Sequence, residues 1–279
     1  MKFNTSLYFA PYLSKLFKKK IWLKLEYENI TGSHKDRESF SMIREALSLN
    51  YKSVGCASTG NLAISLSFFS KIFRLKCHVW IRRGKINKIT FSLLKLLGAK
   101  VYLVQKELNS LYDYSNKKML LNNIYNCNPR NSDVKIKANE DIIKEVYKKN
   151  KKIDNFLTCI NNGSHILGIK KGLKKNHKLY GVYSYSKLAT SINTFARYEL
   201  EKLQNNFNMK NDFIEAKRKE IIKGMSFLEK EGIYAEPCSA AIVGSLNNNK
   251  LKKIKNICCI ISGAGIKDLK TLQSIIKFR

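Results

Sequence analysis

The sequence predicts an α/β protein with a mostly parallel sheet covered by helices, and three observations carry that prediction. Segments with strand and helix patterns alternate along most of the chain. Three of the strand-like segments run straight into glycine turns that open helices: "CASTGNLA", "INNGSHIL" and "IISGAGIKD". The chain has 279 residues, 44% of them hydrophobic, enough for one large domain or two smaller ones with a real core.

Taken in order, "MKFNTSLYFAPYLSKLFKKK" has its aromatic residues and leucines broken by Pro11 and lysines, and reads as a first short element. "IWLKLEY" reads as a strand. "RESFSMIREALSLN" reads as a helix, because Phe40, Ile43, Ala46 and Leu47 recur at helical spacing. "KSVGCAS" is a short strand entering a turn, "GNLAISLSFFSKIFR" a helix, and "KCHVWIRR" a strand. "NKITFSLLKLLG" is a helix that Gly98 can end in a left-handed conformation, and "AKVYLVQ" is the next strand. Residues 105–152 are polar, rich in lysine and helical where they are periodic. "NFLTCINNGSHILGIKKGLKK" returns to strand, turn and helix, and "KLYGVYS" to strand. Residues 187–231 read as weakly patterned helices, and "NICCIISGAGIKD" as a last strand with its glycine turn. Right-handed crossovers are the default for such an order. The three prolines mark no rigid linker.

Lys and Arg number 52 against 21 Asp and Glu, a formal net charge of +31. A field of that sign favours anionic ligands, phosphates included. The lysines occur in nearly every segment, and no aromatic-interleaved basic motif accompanies them. A dedicated nucleic-acid face is therefore not expected. The seven cysteines contain no CxxC pair, so no metal centre is expected. Scattered thiols without a secretory pattern point to a reducing, cytoplasmic setting. No apolar stretch is long enough to span a membrane.

In parallel sheets, ligands bind at the carboxyl ends of strands. A glycine turn that opens a helix presents main-chain N–H groups and the positive end of the helix dipole, which suits an anion. One such corner is a weak signal, since glycine turns are common in sheets that bind nothing. Three corners on one chain, joined to "ENITGSHKDR" at residues 28–37, are a stronger one. In that stretch Lys35 stands between a Gly-Ser turn and a helix, where burial or a neighbouring cation can lower a lysine's pKa and free its amine.

These segments together resemble fold-type-II pyridoxal-phosphate (PLP) enzymes, the tryptophan synthase beta-like superfamily, and within it threonine synthases most. "ENITGSHKDR" is similar to the motif N-P-T-G-S-[FH]-K-D-R, and "ASTGNLAIS" to A-S-T-G-N. "INNGSHILGIKKG" is similar to the phosphate loop, "EGIYAEPCSAA" to E-G-I-x-x-E-P-x-S-A-A, and "IISGAGIKD" to L-T-G-[HN]-G-L-K-D. The resemblance implies two open parallel-sheet domains with the cofactor pyridoxal 5′-phosphate between them. Residues 1–40 and 128–279 would form the large PLP-binding domain and residues 41–127 a small mobile one. It implies that Lys35 carries the cofactor and moves protons at the substrate carbons. Asn61 would meet the ring hydroxyl, Asn162, Gly163, Ser164 and His165 would hold the phosphate, and Ser262 would face the pyridine nitrogen. A hydroxyl there cannot hold that nitrogen protonated as a carboxylate can. Ser33, Ser58, Thr59, Asn126 and Arg130 would bind the carboxylate and phosphate of a small anionic amino-acid substrate.

The implied reaction converts O-phospho-L-homoserine and water to L-threonine and phosphate, in a homodimer. Three departures bear on it. Asn161, Ser164 and His165 make the phosphate loop bulkier than the family pattern, in which glycine is common. In "NCNPRNSDVKIKANE" the arginine falls one place early, at Arg130, and Lys135 or Lys137 is left to supply charge without an arginine's fixed fork. Leu62 stands where a hydroxyl is frequent. The alternatives are another reaction of the same fold type, such as threonine or serine dehydration or a β-replacement like that of cysteine synthase, and an eroded PLP-fold binding protein without catalysis.

Overall fold

The computed structural model describes residues 3–128, 133–192 and 200–268. The chain forms an α/β fold of two compact units, Met1–His34 with Asn139–Arg279, and Lys35–Ala138. The first unit opens with β1 (Leu7–Phe9), α1 (Pro11–Phe17) and β2 (Lys20–Leu25). The second contains α2 (Lys35–Ser48), β3 (Ser53–Ala57), α3 (Asn61–Ile72), β4 (Lys76–Arg82), α4 (Lys88–Leu96), β5 (Lys100–Val104), α5 (Leu108–Leu121) and β6 (Tyr125–Asn126). Helix α6 (Asp133–Lys149) begins in the second unit and ends in the first. The first unit then continues with β7 (Asn155–Cys159), α7 (Ser164–Gly172), β8 (Lys178–Tyr183), α8 (Leu200–Asn206), α9 (Met209–Asp212), β9 (Phe213–Glu215), α10 (Arg218–Lys230), α11 (Pro237–Gly244) and β10 (Asn256–Ile261).

The sheet of the first unit runs β1-β2-β10-β7-β8-β9. Only β1 is antiparallel, pairing Leu7 with Lys24 and Phe9 with Trp22. Strand alternation sends Ile21, Leu23 and Leu25 to one face, where they join Cys259 and Ile261 of β10 and the apolar faces of α10 and α11. Those two helices approach closely through glycine. A Cβ on Gly224 would lie 1.9 Å from the carbonyl oxygen of Ala240, and one on Gly244 would lie 1.9 Å from that of Glu220. The sheet of the second unit, β5-β4-β3-β6, is parallel throughout. Its core gathers Ala57, Trp80, Leu111, Met119 and Ile124.

This order fixes what stands at the carboxyl ends of the strands. In the first unit β2, β10 and β7 are neighbours, so the segments that follow Leu25, Ile261 and Cys159 emerge side by side. In the second, β3 and β6 are neighbours, so the turn after Ala57 emerges beside Cys127 and Asn128.

The elements differ from the sequence expectation in four places. Helix α2 begins at Lys35, two residues before the expected start, and Met42 replaces Leu47 on its buried face, with Leu47 37% exposed. β6 emerges within the polar stretch expected to be helical, held by parallel pairing of Tyr125 and Asn126 with Val54 and Gly55. β9 emerges in the stretch of weak helices, held by Gly181, Val182 and Tyr183. The N-terminal element is an edge strand as well as a helix. Two- and three-residue strands carry no period of their own, and only the neighbouring strand defines them.

Candidate active site

In the first unit the "ENITGSHKDR" stretch is stitched to the last glycine turn. Gly32 has a φ of +80°, a left-handed conformation that glycine adopts without strain. Its carbonyl accepts from the amide of Ala264 at 2.9 Å, and the amide of His34 donates to the carbonyl of Ser262 at 3.0 Å. Ser33 pairs with Gly263 in an isolated bridge, and its own hydroxyl is buried with no hydrogen-bond partner. A buried hydroxyl left unpaired costs about 1–3 kcal/mol, so this one marks a place where a ligand would be welcome.

Ser262 sits in a polar knot at the end of β10. Its hydroxyl donates to Glu236 Oε1 at 2.8 Å, and Ser239 Oγ lies 3.1 Å away. Ser239 also accepts from the amides of Ser262 and Gly263 at 2.9 and 3.3 Å. A Cβ on Gly263 would stand 2.6 Å from the Glu236 carboxyl carbon, so a larger residue there would push the Glu236 side chain aside.

The loop after β7 turns through Gly163, whose φ of +101° again favours glycine. Gly163 is the N-cap of α7 and offers no side chain to the helix. The first amides of a helix lack intrahelical acceptors, so those of Ser164 and His165 stand where an anion would take them. The His165 ring is engaged within the protein. One nitrogen lies 3.0 Å from Thr158 Oγ1, the other 2.9 Å from Asn139 Oδ1, and the ring centre lies 4.2 Å from that of His34, with the two rings tilted by 42°. Any phosphate contact by His165 is thus left to its main-chain N–H.

In the second unit Lys35 opens α2. Its amine donates to Glu38 Oε2 at 2.8 Å, one turn along the helix; the lysine side chain is 18% exposed and the glutamate 1%. Asn61 opens α3 after the Gly60 N-cap, and the hydroxyl of Ser58 accepts from the Gly60 amide at 3.3 Å. Ser58 is half-buried and Thr59 exposed. Asn126 belongs to an amide network: it donates to Asn116 at 2.8 Å and accepts from the amide of Asn128 at 2.8 Å. Asn128 holds the amide of Ala57 at 2.6 Å and donates to Ser115, which fixes the end of β3 just before Ser58. Arg130 lies outside the described residues.

The sequence considered Lys135 as a source of positive charge. It is buried instead, and its amine donates to the carbonyls of Cys127 and Asn128 at 2.8 and 2.7 Å. Burial lowers its pKa to about 8, helped by the charge of Lys35 and opposed by that of Glu38. Cys127 is pushed up to about 12 by the same burial and stays a neutral thiol. Among the described residues, no group of His, Cys, Asp and Glu is arranged to hold a metal ion. A cavity of about 450 Å³ in the first unit, lined in part by Lys170, His177, Lys178 and Lys250, lies at the other end of the sheet, where β8 begins. Two of its lysines are already engaged: Lys250 donates to the Phe213 carbonyl and Lys170 lies over the Phe207 ring.

In the second unit a lysine amine at a helix start is a group that can bind a carbonyl, and in the first unit a glycine-opened helix is a group that can bind a phosphate. The chain belongs to the pyridoxal-phosphate dependent enzyme family, whose model matches residues 2–263, and pyridoxal 5′-phosphate is accordingly its cofactor. It is 24% identical to a threonine synthase of Halalkalibacterium halodurans over 98% of this chain and 85% of that one. It is 27% identical to a threonine synthase of Methanocaldococcus jannaschii over 95% of this chain and 75% of the other. Among solved structures, maize serine racemase superposes with a TM-score of 0.85 at 16% identity, covering 98% of this chain and 92% of that one. Cysteine synthase from Entamoeba histolytica follows with a TM-score of 0.79 at 17% identity, covering 98% and 93%. These likenesses establish the fold-type-II architecture. No helix among the described residues is long and apolar enough to cross a membrane.

Proposed function

We propose that this protein is a threonine synthase-like lyase that converts O-phospho-L-homoserine and water to L-threonine and phosphate. The observation that carries the reading is the end-to-end alignment with threonine synthases, over 95–98% of this chain. Lys35 at the start of α2 supports it from the geometry, as a partly exposed amine at a strand-to-helix corner.

When bound, the cofactor supplies an electron sink for negative charge at the substrate carbons. Its phosphate would be held by the main-chain N–H groups of Ser164 and His165 and by the Asn162–Gly163 turn, with the dipole of α7 behind them. Asn61 would meet the ring hydroxyl and Ser262 the ring nitrogen. In the cofactor-free chain the Ser262 hydroxyl donates to Glu236, and it would turn from that carboxylate to donate to an unprotonated ring nitrogen. Lys35 Nζ takes the proton from the substrate α-carbon and returns protons later in the cycle. Ser33, Ser58, Thr59, Asn126 and Arg130 fix the substrate's carboxylate and phosphate. Phosphate leaves from the γ-carbon, water adds at the β-carbon, and the charges on the substrate match the basic chain that receives them.

The test has two stages. Purified protein with added pyridoxal phosphate should develop a visible absorption band of bound cofactor, and borohydride should fix the label on Lys35. O-phosphohomoserine should then release phosphate and threonine in equal amounts. Conversion of threonine or serine without phosphate release would assign a dehydratase instead, and absence of any bound cofactor would overturn both.

A further inference from the structure

Lys35 has a buried companion carboxylate of fixed geometry that none of the chemistry above uses. Glu38 lies one turn along α2, is 1% exposed, and accepts from Lys35 Nζ at 2.8 Å. A carboxylate so buried is costly unless paired, and its pairing here is with the one amine that must at some stage be uncharged to act as a nucleophile or base. Lys135 reaches the same neighbourhood from α6. Its amine is pinned between the Cys127 and Asn128 carbonyls, and it feels both the Glu38 carboxylate and the Lys35 ammonium.

We propose that Glu38 is a positioning residue that holds and returns the proton of Lys35, and that Lys135 is the cation that keeps this transfer balanced. The transfer moves one proton from Lys35 Nζ to Glu38 Oε2 along the existing hydrogen bond, giving a neutral amine and a neutral carboxylic acid, and no other bond changes. Lys135 opposes it in one sense and favours it in another. Its positive charge stabilises the Glu38 carboxylate, and it destabilises the neighbouring Lys35 ammonium. The hydrogen bond joins Lys35 to Glu38 directly, and Lys135 acts on both through its charge.

Other charged and titratable groups stand around this cluster within the second unit, Glu45 of α2 among them. Helix α2 also carries the buried Asp36 and Arg37. Strand β3 brings Cys56, and the segment after β6 brings Cys127, both held neutral by burial. Helix α3, packed against α2, has Lys71 as its only charged residue, at the far end from Asn61.

The inference rests on the assignment of Lys35 as the reactive amine, so its test is read on the cofactor-free chain. Lys35 is labelled with limiting acetic anhydride across a pH series, the modified peptide is measured by mass spectrometry, and the exposed lysines serve as internal standards. In Glu38→Gln the ammonium loses its counter-charge, and labelling at neutral pH should rise about tenfold relative to wild type. Glu38→Asp should bring the profile back toward wild type. In Lys135→Met a neighbouring cation is gone, and labelling at neutral pH should fall severalfold. Lys135→Met keeps the test decisive if Glu38→Gln folds poorly. Profiles of Lys35 unchanged in both variants would overturn the proposal. A chain that takes up no cofactor yet shows these shifts would overturn the proposed function and leave the Lys35–Glu38–Lys135 coupling standing.

Discussion

Each unit buries a charged cluster around a lysine, and the two clusters are put together differently. In the first unit Lys24 is fully buried. It donates to the Thr5 carbonyl at 2.7 Å, forms an ion pair with Glu145, and lies 3.8 Å from Glu26. Glu26 is held in turn by Thr5 at 2.8 Å and Asn29 at 2.9 Å. One ammonium thus faces two carboxylates, and hydrogen bonds from β2, the turn after it and α6 fix every partner. In the second unit Lys35 donates to Glu38, and Lys135, held by the Cys127 and Asn128 carbonyls, feels the charges of both, so two ammonium groups act on this carboxylate. An excess of acceptors keeps a proton where it is. An excess of donors leaves one proton weakly held, and pKa values displaced by burial and a specific charge partner are what a reacting site needs. The first cluster is built to hold the fold, the second to move a proton.

The largest effect expected from breaking this contrast is at Lys35. Lys35→Ala should abolish both turnover and borohydride fixation of the cofactor, and should also lower the denaturation midpoint, because the buried Glu38 carboxylate loses the ammonium it is paired with. Retained turnover would remove Lys35 from the chemistry.

Next comes the first cluster. Lys24→Met leaves Glu26 and Glu145 buried against one another without their cation, and breaking a buried pair in this way costs about 3–5 kcal/mol. Urea denaturation should show the loss, and the labelling profile of Lys35 should not move. A stability change below about 1 kcal/mol would mean that water or a protonated carboxyl compensates, and the structural reading of this cluster would fail.

How much of the comparison was legible in the sequence depends on its range. Lys35 was legible because "TGSHKDR" is a local motif, and Ser262 and Gly163 because each stands in a glycine turn after an apolar run. Glu38 was hidden by a two-residue error. A helix begun at Arg37 leaves Lys35 in the turn, whereas the observed start at Lys35 sets residues 35 and 38 on adjacent rungs of one face. The Lys24–Glu145 pair spans 121 residues, and nothing local announces it. Lys135 stands out in the sequence, with Lys137, only as a source of charge in place of an arginine's fork; the carbonyls of Cys127 and Asn128 after β6 reveal why it is inside.

A smaller effect separates the two lysines by pH. Lys135 has its pKa lowered from 10.5 to about 8, by burial first. Between those values the unfolded chain binds a proton that the folded chain does not, so stability rises with pH across that window. Below about 8 the cost of the buried charge is fully present. The stability of wild type minus that of Lys135→Met should therefore increase as the pH is raised from about 8 to 10.5, and be flat below it. A flat difference throughout would mean that Lys135 keeps its proton and belongs with Lys24 as a structural cation.

The smallest effect concerns a polar group without a net charge imbalance. Ser262 donates to Glu236, which is only half-buried and can turn to water when the donor is lost. Ser262→Ala should thus cost no more than about 1.5–3 kcal/mol in the cofactor-free chain, the range for one hydrogen bond to a charged group. The amides of Ser262 and Gly263 keep their acceptor in Ser239, so the turn itself should survive. If the loss instead reached the size expected for Lys24→Met, the Glu236 carboxylate would have no access to solvent. The knot around Ser262 would then be a third buried charge cluster, and the distinction between a fold-holding and a proton-moving site would have to be redrawn around the end of β10.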